Sequence, residues 1–311
     1  MRPIALWLAL WLVTQTSPML PRPEILRIAC VRVQTADLAR ARRFYAGVLG
    51  LSALRWDPRA GVAVFNINPR QRLIVTTRAL SEHDDAFVDV GFETANLDGM
   101  RHWLASRGVT TAPAQPDPEA GGWALTLLDP DGHEVRLVEE HAPATFSAPA
   151  VSDFPISTQI LHAGLSVRDA GAANRFYRDI LGFSEIRRGG RADNGTNWID
   201  MQVPDGTDYL EYAVTKPPGA RQFGVDNHIA LLVPDVKAAL ERIRERTLAD
   251  DMNHMTYPRL GRTGHWELNL YDPDGNRIEL AEPARARASI PVPPTSTRGA
   301  FSTFRVGTAP R

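Results

Sequence analysis

The chain has almost no cysteine: one residue, Cys30, in 311. That excludes an intramolecular disulfide framework and any metal site built on several thiolates, and it leaves the redox compartment unread. Excess charge of either sign is also missing. With 35 basic and 36 acidic residues, a formal net charge of -1, nothing electrostatic draws the chain to nucleic acid or to an anionic membrane. At the N-terminus the apolar run Ile4 to Val13, behind Arg2, has the length of a signal-peptide core and is too short to cross a bilayer. Pro3, Pro18, Pro21 and Pro23 frame it as a detachable segment. Residues 1–24 are therefore expected to be a signal peptide that exports the protein to the periplasm or beyond; no A-x-A cleavage site is clear, so a retained membrane anchor is the alternative.

What is present is ordinary for a soluble globular protein: 43% hydrophobic and 23% charged residues, in a chain long enough for two domains. Residues 284–311, rich in Pro, Ser, Thr and Arg, read as an irregular tail.

Between these ends the chain repeats itself. "RRFYAGVLGL" (42–51) matches "NRFYRDILGF" (174–183), and "LLDPDGHEVRL" (127–137) matches "LYDPDGNRIEL" (270–280). Two copies follow, over 25–141 and 157–283, with a linker between them. Each copy divides again. In the second, "ILHAGLSV" reads as a strand, Asp169 caps a helix to about Ile180, and Leu181-Gly182 ends it. Strands follow near 184–188, in "NWIDMQV" and in "YLEYAV". The order then restarts with "NHIALLV", a helix from Asp235 to about Arg246, "HWELNLY" and "RIELAE", the last two joined by the hairpin signal "DPDGN". The fold class is α+β, a βαβββ unit four times over.

Chemistry-bearing side chains gather in the second copy. His162 lies on the first strand of one unit and His228 on the first strand of the next. Glu211 and Glu279 lie on the last strands, in the order H-x48-E-x16-H-x50-E. Two imidazoles and one carboxylate suit Fe(II), and a further oxygen ligand suits Mn, Ni or Zn. Taken singly, a strand histidine is more often a hydrogen-bonded core residue; the matching places of the four are what mark a site. By strand alignment the first copy has Ile28 at the place of His162, Val75 within a residue of that of Glu211, Asp89 for His228 and Arg136 for Glu279. That set cannot hold a cation, so the first copy is expected to be metal-free. Alternation places His265, Glu267 and Asn269 on the face of Glu279, and Asn197 and Trp198 are weaker cavity candidates. Cys30 is expected only to pack.

The elements "LHAGLSVRD…RFYRDILGF", "NHIALLVPDV" and "LYDPDGNRIEL" resemble the vicinal oxygen chelate superfamily. Glyoxalase I, bleomycin-resistance proteins and type I extradiol dioxygenases belong to it. The resemblance implies paired units curled into two half-open barrels, with one divalent ion (Fe, Ni, Zn or Mn) held by His162, Glu211, His228 and Glu279. It further implies a glyoxalase-like lyase or isomerase acting on a small substrate chelated through vicinal oxygens, with Glu279 or Glu211 loosening from the metal to move a proton. Asn197, Trp198, His265 and Asn269 would contact that substrate. A second reading is an Fe(II) extradiol dioxygenase, which the two-copy plan favours. Against it, Asn269 stands where that signature has a tyrosine, and Glu211 most nearly matches its nearby histidine. A third is a metal-free binding protein. The expected partner is a small molecule and not nucleic acid, and the plan is compatible with a homodimer.

Overall fold

The computed structural model describes residues 21–79, 87–140, 155–190, 196–214, 226–248, 251–261 and 264–283. The tail, nearly all of the N-terminal segment and most of the linker lie outside them. Among the described residues no helix is long and apolar enough to cross a membrane.

The first half runs β1 (Ile25–Thr35), α1 (Leu38–Arg42), β2 (Ser52–Asp57), β3 (Val62–Asn68), β4 (Gln71–Thr77), β5 (Phe87–Thr94), α2 (Leu97–Ser106), β6 (Gln115–Asp117), β7 (Gly122–Leu128) and β8 (Glu134–Glu140). The second half repeats it with β9 (Ile160–Val167), α3 (Ala170–Asn174), β10 (Ser184–Gly189), β11 (Trp198–Gln202), β12 (Tyr209–Val214), β13 (His228–Leu232), α4 (Val236–Arg246), β14 (His254–Met255), β15 (Arg259–Leu260), β16 (Trp266–Tyr271) and β17 (Arg277–Ala281). All four helices open on an Asx cap, Asp37, Asn96, Asp169 and Asp235, whose side chain accepts from the first-turn amides.

Each half forms its own sheet, in the orders β2-β3-β4-β1-β5-β8-β7-β6 and β10-β11-β12-β9-β13-β17-β16-β14. Units thus pair within a half, through antiparallel β1/β5 and β9/β13. The single helix expected after Asp169 is in fact two pieces: α3 widens into a π-helical turn over Arg175–Ile180, as α1 does over Arg43–Val48. The wide turns close through Leu181 N–H to Phe176 O (3.1 Å) and Leu49 N–H to Phe44 O (3.0 Å), and they bury Tyr45 and Tyr177 completely.

The repeated motifs hold the halves to each other. Tyr45 donates to Asp272 of the second half (2.8 Å), and Tyr177 donates to Asp129 of the first (3.1 Å). The same two loops make a second reciprocal pair: Thr35 Oγ1 and Ala36 N–H reach Asp274, while Arg168 reaches Asp131. One apolar core runs through both halves, with Phe92 of one edge-on to Phe183 of the other at 5.1 Å.

At the centre of this near two-fold arrangement, Gln71 and Asp208 occupy matching places and bond to one another (3.0 Å). Gln71 accepts the Ile160 N–H (2.8 Å), and Asp208 accepts the Ile28 N–H (3.0 Å). Burial pushes the Asp208 acid from 3.8 up to about 6, against the hydrogen bonds it accepts. A carboxyl with a raised native pKa stabilises fully below its unfolded pKa and loses that contribution as pH rises toward the native one. Asp208→Asn, which keeps an acceptor oxygen there, is expected to match or exceed the parent at pH 8. It should lose a relative advantage of up to about 3 kcal/mol by pH 4, as read by urea unfolding at both pH values; an unchanged difference would overturn the assignment.

This centre also corrects the alignment of the copies. Ile28 is the counterpart of Ile160, so the residue at the place of His162 is Cys30. Cys30 pairs with Gly91 as His162 pairs with Ala230. The expected match with Ile28 is two residues out, whereas the place of Glu211 is taken by Ile74, within the one residue of Val75 that was expected: Ile74 faces Arg32 as Glu211 faces Gly164. Asp89 and Arg136 stand at the places of His228 and Glu279, as expected.

Candidate metal centre

Two adjacent rows of the second sheet build the centre. One row runs Glu211, Gly164, His228; the next runs Tyr209, His162, Ala230, Glu279, Asn269. Gly164 makes the room. A Cβ there would lie 1.9 Å from His228 Cε1, so only a hydrogen lets the His228 ring lie across the row.

His162 Nε2 and His228 Nε2 stand 3.0 Å apart, with the rings nearly perpendicular. His228 Nδ1 bonds to Asp226 O (2.9 Å), which directs its Nε2 lone pair inward. Glu211 Oε1 lies 3.8 Å from His228 Nε2. Among the described residues, His162, Glu211 and His228 present donor atoms within 4.8 Å of one another, and His265, Glu267 and Glu279 form a second such group beside them. Two nitrogens bound at right angles to one ion at about 2.1 Å would themselves be about 3 Å apart. The imidazole pair fits that requirement.

Glu279, the fourth expected ligand, is next to this group and held by another partner: Arg277 Nη2 lies 2.5 Å from its Oε2. Burial alone would raise the Glu279 acid, but Arg277, His162 and His228 outweigh it and hold it down at about 2. Burial lowers His162 to about 4 and holds His228 well below the usual imidazole value, so both imidazoles are neutral at neutral pH, the form that can bind a metal. Burial, then the charges of Glu279 and Asp200, push Glu211 up to about 8. Metal uptake at pH 7 is therefore expected to release about one proton, from Glu211. Titrating Zn2+ into weakly buffered protein should show that release, and Glu211→Gln should abolish it; release unaltered in the variant would count against Glu211 as a ligand.

A cavity of about 390 Å³ opens over the centre, lined by His162, Glu211, Glu279, Asn197, Trp198 and His265 among others. Asn269 faces Glu279 across the hairpin, but its amide oxygen accepts from Arg277 Nε (2.7 Å). Among the further lining residues not singled out by sequence are Arg277, Tyr209 and Asp200. Each was within reach, Arg277 and Tyr209 by lying two residues before a ligand candidate and Asp200 by pairing with Glu211. Tyr209 packs its ring 4.6 Å from that of His162.

In the first half guanidinium groups stand where the ion would be. Arg32 replaces Gly164 and lies 3.6 Å from Asp89; Arg136 lies 3.0 Å from Asp89 and 2.7 Å from Asp117. Cys30 is fully buried, and burial together with Asp89 and Asp117 pushes its thiol up to about 12. There two guanidinium groups balance Asp89 and Asp117, and the thiol of Cys30 stays protonated and inert.

These halves define a class. The family model of the Glyoxalase/Bleomycin resistance protein/Dioxygenase superfamily matches residues 27–137 and 159–280, and the chain belongs to that superfamily. Among solved structures it is similar to the 2,3-dioxygenase LapB from Pseudomonas sp. KL28, with a TM-score of 0.66, 19% identity, and coverage of 85% of this chain and 94% of that one. It is similar also to a catechol 2,3-dioxygenase, at 0.65 and 16%, covering 84% and 89%. A variant of homoprotocatechuate 2,3-dioxygenase from B. fuscum matches at 0.65 and 20%, covering 86% and 74%. These likenesses concern the fold. No curated protein matches the chain.

Proposed function

We propose that the protein is an enzyme dependent on one divalent metal ion (Fe, Ni, Zn or Mn), acting as a lyase or isomerase on a small substrate chelated through two vicinal oxygens. The observation that carries this reading is the 3.0 Å approach of two inward-facing imidazoles with the Glu211 carboxylate beside them. His162, His228, Glu211 and Glu279 would hold the ion, which supplies a Lewis acid that polarises the substrate oxygens and acidifies the adjoining C–H bond.

The chain's own groups do the rest. Glu211, partly open to the cavity, accepts a proton from one substrate carbon and returns it to the next. Glu279 is the alternative carrier, but Arg277 binds it closely and makes it the poorer base. His265, Asn197 and Trp198 line the approach and orient the substrate, while Tyr209 keeps the His162 ring in place.

An extradiol dioxygenase using Fe(II) is the second reading. The one-sided plan favours it, with a silent half preceding the half that carries the site. Asn269 and Glu211 oppose it, since neither supplies the phenol or imidazole expected at those places. Metal analysis and oxygen uptake separate the readings. Reconstituted protein is expected to bind about one equivalent of metal and to consume no oxygen with a catechol panel. Less than about a tenth of an equivalent would overturn both enzyme readings and favour a metal-free binding protein. Oxygen consumption lost in His162→Ala would establish the dioxygenase.

A further inference from the structure

Asp200 is a buried acid with one oxygen unmet. It is 2% exposed and lines the cavity over the centre. Its Oδ2 accepts from Arg187 Nε (2.9 Å), while Oδ1 is buried with no hydrogen-bond partner among the described residues. Buried acceptors are nearly always met, so an orphan beside a cavity needs a reason.

Packing does not supply one. In register, the row Arg187, Asp200, Glu211, Gly164, His228 of the second sheet answers to Arg55, Val64, Ile74, Arg32, Asp89 of the first. The arginine at the head of the row is common to both. It pairs with Asp200 in one half and turns to Asp57 and Glu119 in the other. Val64 and Ile74 are fully buried in an apolar cluster with Cys30. The fold and its arginine therefore do without an acid at this place, and the carboxylate goes with the half that carries the site.

The row also sets the reach. Neighbouring strands stand about 4.8 Å apart, so Asp200 lies one strand beyond Glu211, on the side away from His228. A substrate chelating an ion held by His162, His228 and Glu211 would bring to Asp200 whatever it carries a bond or two past its chelating oxygens. The Arg187 pair keeps Asp200 a carboxylate, which accepts hydrogen bonds and donates none. Arg187 also balances its charge, which leaves a neutral donor, a hydroxyl, as the group it takes. We infer that Asp200 is a specificity-determining residue: its open oxygen receives a hydroxyl on the carbon next to the chelating pair, so the substrate is a polyhydroxylated carbonyl compound. This rests on the metal-dependent reading above and adds a substrate class to it. The hydroxyl-bearing carbon is thereby held beside Glu211, the proton carrier.

The test uses the full chain loaded with Co2+ and titrated with dihydroxyacetone or with hydroxyacetone, which chelates alike and lacks the second hydroxyl. The visible spectrum of the cobalt reads both. Dihydroxyacetone is expected to bind about tenfold tighter, beyond the factor of about two that its symmetry gives. Asp200→Val, which copies the first half, should bring the two probes to within about twofold of each other while Co2+ affinity stays within about threefold. Asp200→Asn exchanges the charged acceptor for a neutral one and should leave a preference of about threefold; it decides the matter if Asp200→Val does not fold. Equal weakening of both probes, a preference that survives Asp200→Val, Co2+ binding lost with Asp200, or a parent that binds Co2+ and shows no preference would each overturn the inference. The metal site would still stand. Failure of the parent protein to bind Co2+ would overturn both.

Discussion

Gly164→Ala is expected to weaken metal binding severely. The added methyl would lie 1.9 Å from His228 Cε1, 2.1 Å from Nδ1 and 2.8 Å from Nε2, so the imidazole must leave its place. His228 is fully buried, with its ring lying across Gly164. A ring moved clear of the methyl is expected to lose the 3.0 Å approach of its Nε2 to His162 Nε2. Metal affinity should fall on the order of 100-fold or more, with about 1–3 kcal/mol lost from overpacking. Gly91→Ala is the control in the other half. Its methyl would meet Cys30 Sγ at 2.6 Å, so a comparable loss of stability is expected with metal uptake unchanged. Calorimetric metal titration and thermal unfolding of both variants decide the matter. Full-affinity binding by Gly164→Ala would mean that His228 is not a ligand.

The second large effect concerns the join. Asp272 is fully buried and accepts from Tyr45 OH, Asn276 N–H and Asn276 Nδ2, each at 2.8 Å, and from Asp274 N–H at 2.9 Å. Asp272→Ala leaves buried donors unmet on both sides of the join, a loss of about 3–5 kcal/mol at 1–3 kcal/mol per orphaned group. For a chain of this size that lowers Tm by roughly 10 °C. Burial raises the Asp272 acid to about 6, so part of the loss is offset by removing a costly charge. Asp129→Ala, the reciprocal change, is expected to have a similar effect, and Tyr45→Phe a smaller one of about 1–2 kcal/mol. Because one core spans both halves, unfolding should remain a single transition. A drop under about 1 kcal/mol for Asp272→Ala would show that the lock is ornamental.

Much of this fold was legible in the chain. The repeated "RFY" and "DPDG" stretches, the Asx caps and the alternating strands mark four βαβββ units, and the order of His162, Glu211, His228 and Glu279 marks one half for a metal. The misplacement of Ile28 has a physical cause. Side chains on a strand alternate with period two, so a slip of two residues keeps every inward residue inward and the pattern cannot reveal it. Counting back from the caps Asp37 and Asp169 would have reached Cys30. The role of the tyrosines was beyond reach because their partners are 227 and 48 residues away, and nothing local distinguishes a lock from a core aromatic. The Arg277–Glu279 pair was hidden otherwise: a same-face arginine at the start of a strand reads as solvated until the sheet around it is known.

The crossed tyrosine bonds carry a consequence for inheritance. A repeated domain without a site of its own is ordinarily free to be trimmed away. Here the first copy supplies the carboxylate that Tyr177 bonds and the phenol that Asp272 accepts from. Guanidinium groups can fill its interior without its scaffold becoming expendable. The first half stands as a mould in which the second half keeps its shape.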